Sequence, residues 1–412
     1  MHLIIQFFHE LRKEKMRMFL TISAIAWGAA NVVLLLSVGE GLGRQFRKGS
    51  QGMGEDIMIA FPGQTTRPYA GFGAGRAIRV REEDLPLLKR RVPQIAEFSA
   101  EWIHGIDLKN GEKIQRVDTR GVYPVYGELR NITPESGGRF INKIDLERCR
   151  RVIVLGNEVR DDLFGAGANA VGKTLTVNDV PFTVVGVMKK KMQTSCYSGQ
   201  DKNDAFIPSS TYKMMFSPGY VRNVVFRPRS VAEAPAAKKG FYRVMASRHR
   251  FHPEDEETFW VWDTISMGAV SAKVFTGIGL FLGIIGALTL MVGGIGVANI
   301  MYVIVKERTR EIGIKIAVGA RPAVIISQFV LESLLTVAIG GALGMGLAAA
   351  LVRGINLIPI QHEVMEFLTR PVFSALLALV CTTLLGIIGL LSGVFPARRA
   401  STVDPVEALR YE

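Results

Sequence analysis

Four apolar runs decide what kind of fold is open to this chain. Residues 18–38, 274–304, 324–352 and 373–395 each supply the ~20 mostly apolar residues that a ~30 Å hydrocarbon core requires. The first run, MFLTISAIAWGAANVVLLLSV, is longer than the roughly 7–15-residue apolar stretch of a secretory leader, and no A-x-A-like site ends it. It is therefore read as an uncleaved span. The expected fold is an α+β membrane protein: four transmembrane helices, with a large extracytoplasmic two-lobed α+β domain between helices 1 and 2.

Charge sets the expected orientation. The chain carries 50 Lys+Arg against 37 Asp+Glu, a formal +13. Such a balance suits nucleic acid or an anionic membrane surface, and the apolar runs decide for membrane lipid and against nucleic acid. Short flanks are rich in basic residues before span one (Arg12, Lys13, Lys15, Arg17), between spans two and three (Lys306, Arg308, Arg310, Lys315, Arg321) and after span four (Arg398, Arg399, Arg410). Between spans three and four there are only Arg353 and Arg370. The positive-inside rule then places both termini and the 305–322 segment in the cytoplasm of a multi-pass inner-membrane protein, with 40–273 and 353–372 outside. Residues 1–17 repeat Leu3, Ile4, Phe7, Phe8 and Leu11 on one helical face, which predicts an interfacial helix or a simple extension of span one.

Within 40–273, DIMIAF (56–61), NVVFRP (223–228) and TFWVWD (258–263) read as strands. Residues 82–92 and 236–248 read as helices, and 98–187 is strand-rich. Strand–helix units at both ends of a β-rich insert give the two lobes. Cys149 and Cys196 fall in this outside domain, where an oxidising compartment lets a disulfide persist; two free thiols are the alternative. Cys381 lies in span four.

GANAVGKT (167–174) fits the phosphate-cradling pattern G-x-x-x-x-G-K-[ST]. A genuine phosphate loop follows a strand and opens a helix, so that helix N-terminal amides meet the phosphates. Here RVIVLG (151–156) is the strand, and the helix, NEVRDDLF (157–164), comes before the glycines. After Thr174 the chain reads LTVNDVPFTVVGV, two β-rich runs around an Asn178-Asp179 turn. The stretch is expected to be a loop leading into a hairpin, on the side of the membrane where ATP is scarce. The six histidines are scattered, and HRFH (249–252) suits a solvated loop better than a metal site. No metal, cofactor or catalytic residue is expected.

The informative stretch is the short connection between spans two and three. Lys306 to Ala317 predicts a short helix with Glu311 and Lys315 paired at i,i+4, Gly319 past its C-terminus and Pro322 opening the next helix. A stiff charged helix between two spans is a lever, or else a plain basic connector. Within the spans, Asn31, Asn299 and Glu332 are the polar exceptions. An intramembrane carboxylate is costly and carries a functional hypothesis: that Glu332 pairs with a polar group near the connection and helps transmit motion. A structural hydrogen bond to a neighbouring helix is the alternative. Gly279 and Gly283, and Gly340 and Gly344, have the small-xxx-small spacing of close helix packing, within one chain or between two.

ERTREIGIKIAVGA with QFVLESLL and GGALGMG resembles the MacB-type (FtsX-like) permeases of ABC transporters. GNEVRDDLFGAGANAVGKTLTVNDVPFTVVGV resembles that family's outside domain, and GVFPARRASTVDPVEALR its C-terminus. The resemblance covers nearly the whole chain and implies a permease subunit, not an enzyme, that works with a separate ABC ATPase subunit, as a permease dimer, with or without a periplasmic adaptor protein. It places Glu307, Arg308, Glu311, Gly313 and Lys315 on the segment that docks the ATPase. Export is the leading expectation. The alternative is a mechanotransmitting regulator that drives a cell-wall hydrolase or a lipoprotein-release system. In the tail, Asp404-Pro405-Val406-Glu407 places an N-cap acid, a Pro at N1 and a Glu at N3, which predicts a short helix.

Overall fold

The computed structural model describes residues 15–357 and 371–401. The expected interfacial helix, most of the 353–372 loop and the expected tail helix lie outside the described residues. In chain order, α1 (Lys15–Gln51) leads to β1 (Met58–Pro62), α2 (Leu85–Arg91), β2 (Ile95–Asn110) and β3 (Lys113–Val122). Then come α3 (Tyr126–Leu129), α4 (Lys143–Glu147), β4 (Val152–Leu155), α5 (Asn157–Phe164), β5 (Thr174–Val177) and β6 (Val180–Val187). They are followed by β7 (Asp204–Pro208), α6 (Ser209–Phe216), β8 (Asn223–Pro228), α7 (Ala234–His249) and β9 (Phe259–Asp263). The described residues end with α8 (Thr264–Glu307), α9 (Thr309–Ala317), α10 (Pro322–Leu357) and α11 (Ala375–Ser401). It divides into two units, one of Phe46–Ser271 and one of the residues on either side.

The first unit has two lobes that share a strand. The pairings β2–β3, β3–β7, β7–β4, β4–β6, β6–β5 and β5–β2 close six strands into a ring. The sheet leaves this ring through β2 and continues as β8, β1 and β9. The 16-residue β2 serves both lobes: its first half pairs with β8, its second with β3, and Glu101 stands at the changeover, opposite both Val122 and Asn223. On the open sheet, Leu85 and Leu88 of α2 and Phe241 and Met245 of α7 are buried with Ala100 and Phe226. Phe226 stacks on Phe241 at 5.1 Å, the offset ring geometry that adds to plain area burial.

The other unit holds the spans. Among the described residues, four helices are long and apolar enough to cross a membrane: α1, α8, α10 and α11. Glycines set how closely they approach. A Cβ on Gly340 would lie 2.8 Å from the Ile25 side chain, and one on Gly344 would collide with the Ala26 carbonyl oxygen, so these two bring α10 against α1. Gly286 meets Val32 and Gly294 meets Ile388. By contrast Gly279 and Gly283 have nothing within 4 Å of such a Cβ. The four glycines singled out in the sequence therefore divide into a packed pair and an open pair. Gly344→Val is expected to cost about 1–3 kcal/mol, as overpacking does, read as a lower Tm of the detergent-solubilised chain. Gly283→Val should leave that Tm unchanged, and equal losses would contradict the division.

Candidate functional site

The connection between α8 and α10 is built by helix termini. α8 breaks at Arg308 (φ −99, ψ 9), and α9 starts one residue later. Thr309 Oγ1 returns a hydrogen bond to the Lys306 carbonyl at 2.9 Å, which satisfies an acceptor that the break leaves open. At the other end Gly319 has φ +94; its N–H bonds to Ile316 O and that of Ala320 to Lys315 O, both at 2.9 Å. This is the Schellman closure for which a residue without a Cβ is suited. Pro322 opens α10, where its missing N–H has no cost.

Ile312 and Gly313 are buried, and Ile312 joins the apolar core of the spans with Ile325 and Phe329. Three polar ties then fix the connection to its neighbours. Glu307 Oε1 accepts from Arg17 Nη1 of α1 at 3.2 Å. Glu332 Oε1 of α10 accepts from Arg308 Nη1 at 3.4 Å, with side chains 9% and 17% exposed. Lys315 Nζ donates to Gln328 Oε1 at 3.1 Å, rather than pairing with Glu311 as the spacing predicted. The intramembrane carboxylate and the connection are thus in direct contact. Exposed on α9 are Arg310, Glu311 and Ile314, with Val318 just after it, and the apolar pair is 47% and 84% accessible. Asn31 is half-buried and Asn299 exposed, and neither takes part in these ties. Of the residues that complete them, Gln328 was not singled out in the sequence and Arg17 was named only as a basic flank of span one. Arg17 is 290 positions from its partner, and only its place at the end of an apolar run hints at it.

The phosphate-loop pattern is placed as its neighbours predicted. α5 precedes the glycines, Gly165, Gly167 and Gly172 have positive φ, and Thr174 begins β5. Asn178 (φ 48) and Asp179 (φ 65) form the two-residue turn of the β5–β6 hairpin, a conformation these residues tolerate. No helix opens after Thr174, so there is no amide cradle for a phosphate. In the structure all three cysteines are free thiols, with Cys149 half-buried, Cys196 exposed and Cys381 buried. Among the described residues, no group of three or more His, Cys, Asp or Glu gathers as a metal site.

Four apolar helices around a glycine-lined core, with one long α+β insertion and an ion-paired short helix, define a multi-pass membrane permease architecture. Residues 18–241 match the MacB-like periplasmic core domain and residues 283–405 the FtsX-like permease C-terminal domain. The chain belongs to the MacB/FtsX-type permease family of ABC transporters. It is 29% identical over 408 residues to the macrolide export ATP-binding/permease protein MacB of Bdellovibrio bacteriovorus, covering 99% of this chain and 61% of that protein. It is 30% identical to the MacB protein of Shewanella oneidensis over 97% of this chain and 58% of that one. The chain thus spans about three-fifths of the length of these relatives. The crystal structure of the periplasmic region of MacB from Actinobacillus actinomycetemcomitans aligns with 53% of this chain and 94% of its own, at 19% identity and a TM-score of 0.43.

Proposed function

We propose that this chain is the permease subunit of an export system, in which a separate ATPase subunit docks on α9 from the cytoplasm. Movement produced there passes along the spans to the domain 46–271. The observation that carries this reading is α9 itself. It is short, the connection is tied by Glu307 to α1 and by Arg308 and Lys315 to α10, and it leaves Arg310, Glu311, Ile314 and Val318 exposed. A force applied to so braced a segment would move α1, α8 and α10 together. The relatives named above are ATP-binding/permease proteins, and this chain aligns with part of their length, which is consistent with ATP being handled outside these residues. Apolar spans with few polar groups suit a mechanism in which the substrate is not drawn through the bundle. The open faces at Gly279 and Gly283 suit a second copy of the chain.

Affinity purification of the full chain from its native host tests this reading. It should bring down an ATPase subunit and ATP hydrolysis, and Glu311→Arg with Ile314→Asp should remove both while the chain still inserts. Recovery of the chain with no nucleotide-hydrolysing partner would sink the proposal. An adaptor beside the ATPase would favour export, and a hydrolase would favour regulation.

A further inference from the structure

Residues 188–203 join β6 to β7 and touch both the last turn of α1 and a buried charge network of the domain 46–271. On one side they meet the last turn of α1. Thr194 N–H donates to Gly49 O at 3.2 Å. A Cβ on Gly49 would strike the Thr194 side chain, and one on Gly52 the Met192 carbonyl oxygen. The covalent route from α1 to β1 turns through Gly52, Gly54 at φ +129 and Asp56 at φ 53. Met53 anchors that turn in a buried cluster with Tyr126, Leu129, Met188 and Phe206.

On the other side the same residues enter a buried charge network. Lys191 Nζ is 2.7 Å from both Asp201 Oδ2 and the Arg130 carbonyl. Arg130 donates to Asp201 Oδ1 at 2.8 Å and to the Tyr197 hydroxyl at 2.5 Å. That hydroxyl lies 2.6 Å from Glu101 Oε2. Arg120 pairs with Glu101, holds Asp204 at 2.5 Å and donates to Ser198 Oγ at 2.7 Å. Three acids, Glu101, Asp201 and Asp204, balance three bases, Arg120, Arg130 and Lys191. Burial pushes the Asp201 carboxyl up, but Arg130 and Lys191 outweigh it and hold it at about 2, whereas at Asp204 burial outweighs Arg120 and raises the carboxyl to about 7. Glu101 is the residue at which β2 passes from one lobe to the other.

We propose that segment 188–203 is a strut that carries displacement of the end of α1 to the junction of the two lobes, with Lys191 and Tyr197 as the positioning residues that seat it. The strut gives the ATPase-driven reading above a route beyond the spans, and it rests on that reading for its purpose. A connection held at one end by backbone contacts and at the other by buried ion pairs yields little under load, because separating such charges is costly.

Hydrogen exchange of the full chain in detergent tests the strut without any ATPase, so its outcome stands apart from the coupling reading. In Tyr197→Phe and in Lys191→Met, amides of 46–54 and of 188–203 should both exchange at least about five-fold faster, with α7 unchanged. Acceleration confined to 188–203, with 46–54 at the parent rate, would overturn the proposal. Should α7 accelerate too, which signals loss of the whole fold, Gln193→Ala is the milder cut, since it removes only the bonds to the Asp201 amide and the Ser195 carbonyl; the same criterion then applies. With the ATPase partner present, Tyr197→Phe should hold hydrolysis within about two-fold while substrate movement falls at least about five-fold; unchanged movement would also overturn it. A parent chain that stimulates no hydrolysis would count against the coupling reading alone.

Discussion

Glu101→Ala is expected to lower the stability of the domain by about 3–5 kcal/mol, the loss typical when one partner of a buried ion pair is removed. Glu101 is fully buried and accepts from Tyr126 at 2.6 Å, Tyr197 at 2.6 Å and Asn223 Nδ2 at 2.7 Å, as well as pairing with Arg120. Alanine would strand three donors and leave the Arg120 guanidinium, 1% exposed, with Asp204 as its remaining carboxylate. Glu101→Gln keeps the shape and an acceptor oxygen and should cost clearly less. Trp102, buried beside this position, gives a fluorescence signal for denaturant titration. A loss below about 1 kcal/mol for the alanine variant would mean that the network is far softer than its geometry implies.

The second large effect is expected at the pair that ties α10 to the connection. Arg308→Ala should destabilise the detergent-solubilised chain by about 2–3 kcal/mol, somewhat under the value for a fully buried pair, because the contact is 3.4 Å and partly accessible. Replacing both residues, Arg308→Met with Glu332→Met, should restore most of that loss, since no lone charge then remains among the helices. The measurement is a double-mutant cycle on Tm, with an interaction of at least about 1 kcal/mol expected. Strictly additive losses would show that the two groups do not depend on one another.

Much of this was open to reading from the sequence because it is local. Asn223–Pro228 matches its predicted strand end to end, Gly319 and Pro322 bound the connection as their backbone preferences require, and Asn178-Asp179 makes the expected hairpin turn. The helix limits were harder. α1 runs on past its apolar stretch to Gln51 through GEGLGRQFRKGSQ, where glycines and charges mask the helix, and the Arg44–Glu40 pair at i,i+4 supports it. α8 likewise starts ten residues before its apolar run. The closure of the ring was not legible, since β3 with β7 and β4 with β7 are pairings between strands far apart in the chain. The charge network was hidden for the same reason. Glu101, Arg120 and Asp204 each look like ordinary solvated charges beside their chain neighbours, and only the shared strand brings them together.

The order of the sheet has a consequence for how the chain is made. β1 is the first strand to be synthesised, yet its partners are β8 and β9, the last two, 161 or more positions later (62 to 223). An early strand with both edges vacant must therefore wait, unpaired, until nearly the entire insertion has been delivered. Long-range closure of this kind is slow and leaves sticky edges open meanwhile. Biogenesis of this protein is thus most exposed to mispairing and proteolysis just before residues 259–263 arrive, when the second span has yet to be threaded.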